Sequence, residues 1–170
     1  MQNYFELFSL DVDFSVDIDT LEARYQAQIS QFHPDKFVSS SSEKRADSLL
    51  NTSLINTAFD TLKSPLSRAT YLLEMQGINA FDEKNTQMDA TFLVGQIELR
   101  EQLESIQSSK DELALDNFIV DNSITIKENV ELLSQLFKVN DFDKITKLVR
   151  ELRFYMQLSQ HSNQLMDRWL

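Results

Sequence analysis

The residues with chemical capability are few, and most of them sit in one short stretch. His33, Pro34 and Asp35 stand together in QFHPDKF, residues 31–37. An imidazole beside a carboxylate is the raw material of acid–base catalysis. The same residues also suit a polar loop built to be touched by a partner. As a catalytic dyad they lack company: the chain has no nucleophile elbow, no Gly-rich phosphate loop and no metal-ligand cluster. A histidine near an aspartate more often orders a loop. Asp11, Asp13, Asp17 and Asp19 suggest calcium, but they lack the glycine and terminal glutamate of an EF-hand loop and read as a solvated acidic segment. No cysteine occurs, which excludes disulfides, thiol catalysis and thiolate metal sites. With only His33 and His161, a multi-histidine metal site is not expected, and His161 reads as a solvated or capping residue. The expectation is therefore no enzyme, no metal and no cofactor.

Composition says what kind of frame holds these residues. The chain has 170 residues, 42% of them apolar, so it can bury a core. Two glycines and two prolines argue for long helices and few tight turns. A formal net charge of −11 argues against nucleic acid and against an anionic membrane surface as partners. The N-terminal MQNYFELFSLDVDF has no basic region typical of a leader, and no apolar run approaches the roughly 20 residues of a membrane span. A cytoplasmic protein is expected.

Along the chain, residues 3–9 suit a short helix and DVDFSVDID a loop. Asp19 and Glu22 fit a capping box for a helix from Thr20 to about His33, striped by Leu21, Tyr25, Ile29 and Phe32. Pro34 ends that helix. Ser40 with Glu43 suits the cap of a helix from about Glu43 to Leu62, whose apolar face is Ile55, Ala58, Phe59 and Leu62. The two should form an antiparallel hairpin. Pro65 opens a further helix, which stops near Gly77. The polar segment around 77–88 reads as a linker. Three helices are expected beyond it, at about 89–107, 110–138 and 141–169, with Asp89 and Asp141 as caps and DNSIT at 121–125 as a potential break. Short connections make them an antiparallel three-helix bundle. Trp169 should anchor its end. The expected organisation is all-α, with an N-terminal domain at 1–76, a linker at 77–88 and a bundle at 89–170.

The helix at 89–107 carries a second candidate surface. At roughly 100° per residue, Phe92, Leu99, Leu103 and Ile106 fall on one face, assigned to the core. Leu93, Val94 and Ile97 fall on roughly the opposite side, with Glu98, Glu101 and Glu104 around them. On the last helix, Phe142, Ile145, Val149, Leu152 and Met156 share a face, while Phe154 lies far off it with Leu158 and Leu165. Two readings of these second faces stand open. A bundle helix can pack against two neighbours, and an apolar patch rimmed by carboxylates can bind a protein.

Helix, HPDK, loop, helix and then INTAFDTLKSP (55–65) resembles the J domain of DnaK-class co-chaperones. PLSRATYLL (65–73), FLVGQIELREQLE (92–104) and VRELRF (149–154) resemble the HscB family, and extend the likeness over nearly the whole chain. That resemblance implies a J domain and a C-terminal bundle in an L-like arrangement, and a co-chaperone of iron–sulfur cluster assembly. It implies that His33, Pro34 and Asp35 contact a dedicated DnaK-class ATPase (HscA type) and trigger ATP hydrolysis there. Arg24, Gln28 and Gln31 share the exposed flank of the second helix and Lys36 follows the loop, so these complete the implied chaperone-binding set. Ser30 sits where a base is expected, which weakens electrostatic steering. The resemblance further implies that Leu93, Val94, Ile97, Glu98, Glu101 and Phe154 bind an iron–sulfur scaffold protein (IscU type). A further acidic position of the family falls on Ser105. The alternative is a general J-domain protein delivering unfolded clients, against which the absence of Gly-rich and Cys-rich regions counts. An enzyme using His33 and Asp35, or a helical module with an inactive HPD, are the remaining options.

Overall fold

The computed structural model describes residues 2–83 and 88–170. Among them the order is α1 (Tyr4–Leu7), α2 (Ile18–Phe32), a one-turn 3-10 helix (Pro34–Phe37), α3 (Ser42–Lys63), α4 (Pro65–Met75), α5 (Ala90–Ser109), α6 (Glu112–Lys138) and α7 (Phe142–Trp169), with no strand. None of these helices is long and apolar enough to cross a membrane. The chain divides into two compact units, Met1–Leu72 and Leu73–Leu170, so the division falls inside α4.

In the first unit α2 and α3 form the hairpin that the apolar stripes require. Leu21, Ile55, Ala58 and Leu62 are buried. The Tyr25 ring stacks on Phe59 with centroids 4.1 Å apart, and its hydroxyl donates to Asn56 Oδ1 at 2.6 Å. The caps differ from expectation by one or two residues. Asp17, not Asp19, caps α2, accepting from the backbone N–H groups of Asp19 and Thr20. Ser41, not Ser40, caps α3, accepting from Lys44 N. In each case several short polar residues lie close together, and the one in extended geometry at the helix mouth takes the role. Pro65 opens α4 as expected, and Arg68 reaches back from it to donate to Leu62 O at 2.7 Å, closing the end of α3.

The second unit holds α5, α6 and α7, each packed against the other two. Leu103, Ile106, Leu115, Phe118, Phe154, Leu158 and Leu165 form a buried cluster, with Trp169 packed against it at the end of α7. Asp89, Asp111 and Asp141 cap the three helices. The DNSIT segment does not break α6. Asn122 is buried and donates to Tyr155 O at 2.9 Å, while Ser123 and Thr125 donate to Val120 O and Asp121 O of their own helix. Polar side chains with partners at hand give the backbone no reason to leave the helix.

The described part of the expected linker is tied down. Gly77 has φ of 76°, and the N–H groups of Gly77 and Ile78 bond to Glu74 O and Leu73 O, so α4 ends in a left-handed glycine cap. Ala80 is fully buried and its carbonyl accepts from Arg150 Nε of α7 at 2.6 Å. Residues 84–87 of that expected linker lie outside the described residues.

Candidate functional site

The first candidate surface is the turn between α2 and α3. His33 has φ −60° and ψ 135°, the extended geometry that a following proline imposes. Pro34 then starts the 3-10 turn, where its missing N–H costs nothing. His33 Nδ1 accepts from Asp35 N–H at 3.2 Å and also lies 3.4 Å from Asp35 Oδ2. A neutral imidazole uses Nδ1 for the first contact, and an imidazolium donates through it to the second. Either way His33 and Asp35 brace each other, and the carboxylate stays 87% exposed. This is a stiff polar knob and not a buried acid–base pair.

The surroundings show what holds the knob. Ser48 Oγ and Thr52 Oγ1, one turn apart on α3, both donate to Phe32 O, at 2.7 and 3.0 Å. Ser48 is 2% exposed. Sequence reasoning passed over both; their only signal is a pair of hydroxyls at i, i+4 facing the end of the preceding helix. Arg24 and Gln28 stand on the expected flank of α2, but their side chains are engaged. Arg24 Nη1 donates to Phe8 O and Ser9 O, and Gln28 Nε2 donates to Leu7 O at 3.1 Å, so the pair caps the end of α1. Gln31 and Lys36 are exposed beside the turn.

The second candidate surface is on α5. Leu103 and Ile106 are buried and Phe92 and Leu99 pack on the core cluster, as the angular reading requires. Leu93, Val94 and Ile97 are 44%, 55% and 56% exposed, and Glu98, Glu101, Glu104 and Ser105 are exposed around them. An apolar stripe that the bundle leaves open, rimmed by carboxylates, is a surface suited to a protein. Phe154 is placed differently. It is 5% exposed, belongs to the buried cluster, and meets Phe92 edge to face at a centroid distance of 5.8 Å. Its off-face position on α7 is the position that points at α5. It supports the exposed stripe from within, and Arg100 covers its ring at 5.4 Å.

Comparison with known proteins follows the same lines. The family model described as HSCB C-terminal oligomerisation domain matches residues 88–161. The solved chaperone HscB from Vibrio cholerae is 34% identical, with 99% of this chain and 100% of that chain covered and a TM-score of 0.90. The chain belongs to the HscB family. The human co-chaperone protein HscB superimposes as well, at TM-score 0.90 and 28% identity, over 96% of this chain and 82% of the human one. The Jac1 co-chaperone from Saccharomyces cerevisiae shares the fold, at TM-score 0.78 and 22% identity over 96% and 94% of the two chains. The HscB relatives are thus chaperones and co-chaperones, and the fold is the J domain with a C-terminal helical bundle that the HscB likeness implied. Within this HscB fold the two candidate surfaces fall one in each unit, the HPD turn in residues 1–72 and the α5 stripe in residues 73–170.

Proposed function

We propose that this chain is a cytoplasmic adaptor co-chaperone of iron–sulfur cluster assembly. Its α5 surface binds the scaffold protein (IscU type), and its HPD turn engages a dedicated DnaK-class ATPase (HscA type) and stimulates it. Leu93, Val94 and Ile97 supply the apolar contact, Glu98 and Glu101 the charged rim, and Phe154 the support beneath. His33, Pro34, Asp35, Lys36 and Gln31 face the chaperone, while Arg24 and Gln28 sit at the margin of that contact with their donors already given to α1. Asp35 offers a solvent-facing carboxylate to an arginine or a hydrogen-bond network of the ATPase. Pro34 and the His33–Asp35 brace keep it in place, so that little ordering remains to be done on binding. Holding both partners on one chain raises the concentration of scaffold at the ATPase without any new contact. The chain has no cysteine, so the cluster stays with the scaffold as cargo.

The observation that carries this reading is the open stripe of Leu93, Val94 and Ile97 on a helix whose other face is the bundle core. Calorimetric titration with the scaffold tests it. The double change Leu93→Ser with Ile97→Ser should weaken scaffold binding by about tenfold or more while leaving thermal stability nearly unchanged, since both side chains face solvent. Unaltered affinity would remove the scaffold half of the proposal.

A further inference from the structure

Beside the open stripe, the surface changes sign. A cleft of about 320 Å³ is lined by Arg100 of α5, by Arg150, Arg153 and Phe154 of α7, and by Phe81 and Met88, among others. Among the described residues no carboxylate lines it. A second cleft of about 330 Å³ adjoins it through shared Arg100 and Phe154, with Glu104 and His161 also in its lining. Three arginines in one cleft are a local reversal in a chain of net charge −11.

The arginines are also oriented. Arg153 lies over the Phe81 ring at 4.5 Å and Arg100 over Phe154 at 5.4 Å. Arg150 is 9% exposed and anchored by its Nε on Ala80 O. Stacking uses the face of a guanidinium and leaves its in-plane N–H donors free, which is the geometry that accepts a planar carboxylate through two parallel hydrogen bonds. Helical spacing sets Arg100 about 20° to one side of Leu93, with Glu98 beyond Val94 at the opposite edge of the α5 stripe and Glu101 and Glu104 between the two edges. The stripe is therefore bordered by arginine on one flank and by glutamate on the opposite flank.

We infer that this arginine cleft seats an aspartate or glutamate of the scaffold protein, and so fixes the orientation in which the scaffold lies on α5. This rests on the reading of the stripe as the scaffold surface. A purely apolar stripe lets a partner rotate or slide. A surface with opposite charges on its two flanks accepts one orientation and opposes the reverse. The basic flank of the scaffold then faces Glu98, and an acidic residue enters between Arg100 and Arg153.

The test uses the full chain and the scaffold protein. Arg153→Lys places an amine in the cleft, and a carbodiimide joins an amine to a carboxylate that it touches. The expected result is a cross-link from position 153 to one aspartate or glutamate of the scaffold, identified by mass spectrometry. Arg100→Gln and Arg153→Gln, both exposed positions, should each weaken binding by about five- to tenfold at low salt and by less at high salt. Arginine variants with wild-type affinity, alongside a stripe variant that loses binding, overturn the inference and leave the scaffold surface standing. A stripe variant that also binds normally removes both. A cross-link that joins two copies of this chain and none to the scaffold overturns it as well.

Discussion

The carbonyl of Phe32 has lost its helical partner. Four residues on, Lys36 N–H goes to His33 O, and Pro34 has no N–H to give. Ser48 and Thr52 fill the gap from α3 and so tie the last residue of α2, directly before the HPD turn, to the next helix. Replacing both, by Ser48→Ala and Thr52→Val, leaves that carbonyl without these donors. Urea unfolding should show a loss of about 1–3 kcal/mol. The ATPase stimulation proposed above should fall more than this loss of stability explains, because the knob is no longer held. Equal stimulation at saturating protein would show that the two hydroxyls serve stability alone. At this scale the sequence displayed the knob but not its supports. His33, Pro34 and Asp35 are legible because proline and the paired polar groups are local. Ser48 and Thr52 depend on which way α3 returns, a long-range fact with no local mark. Phe154 shows the converse. Its angle on α7 was readable, yet burial against α5 was not, because a side chain off one core face is equally an exposed residue or a contact with a second neighbour.

The helices themselves were legible at the level of elements, since few prolines and glycines interrupt 3.6-residue periodicity. Their mouths were less so. Acidic and serine runs supply several candidate caps, and backbone geometry chooses among them. The unbroken α6 is the clearest gain from the structure, because Asn122 finds its partner on a different helix. Glu151 on α7 is a half-buried carboxyl with a shifted pKa. Burial raises its pKa first, and Asp89, the cap of α5, raises it further, against a smaller lowering by Lys147. A carboxyl whose folded pKa lies above its unfolded one holds its proton more tightly in the fold. Its contribution is favourable at low pH and is lost as pH rises through the folded value. Glu151→Gln should therefore raise the melting temperature at pH 7, by no more than about 1 kcal/mol of stability for a half-exposed group. The advantage should vanish as the pH falls toward the ordinary carboxylate range near ~4. A difference independent of pH would show that packing, and not the charge, decides it.

For the whole molecule, the division into Met1–Leu72 and Leu73–Leu170 assigns the two candidate surfaces to separate units. The division falls in α4, several residues before the expected linker: the Arg150–Ala80 bond attaches the following segment to the bundle, and the glycine cap ties that segment to the last turn of α4. Composition could not reveal this, since a polar, aperiodic stretch looks the same whether it hangs free or is pinned by one buried arginine. If one chain couples its two surfaces through two partners, steady-state ATP hydrolysis by the dedicated DnaK-class chaperone must respond to both. The chaperone is measured alone, with this protein, and with this protein plus scaffold, and His33→Gln is run in parallel. Stimulation that grows more than additively with scaffold, and vanishes in His33→Gln, is the predicted result. A rate that stays at the level of chaperone alone, with wild-type protein and scaffold both present, would rule out the adaptor role.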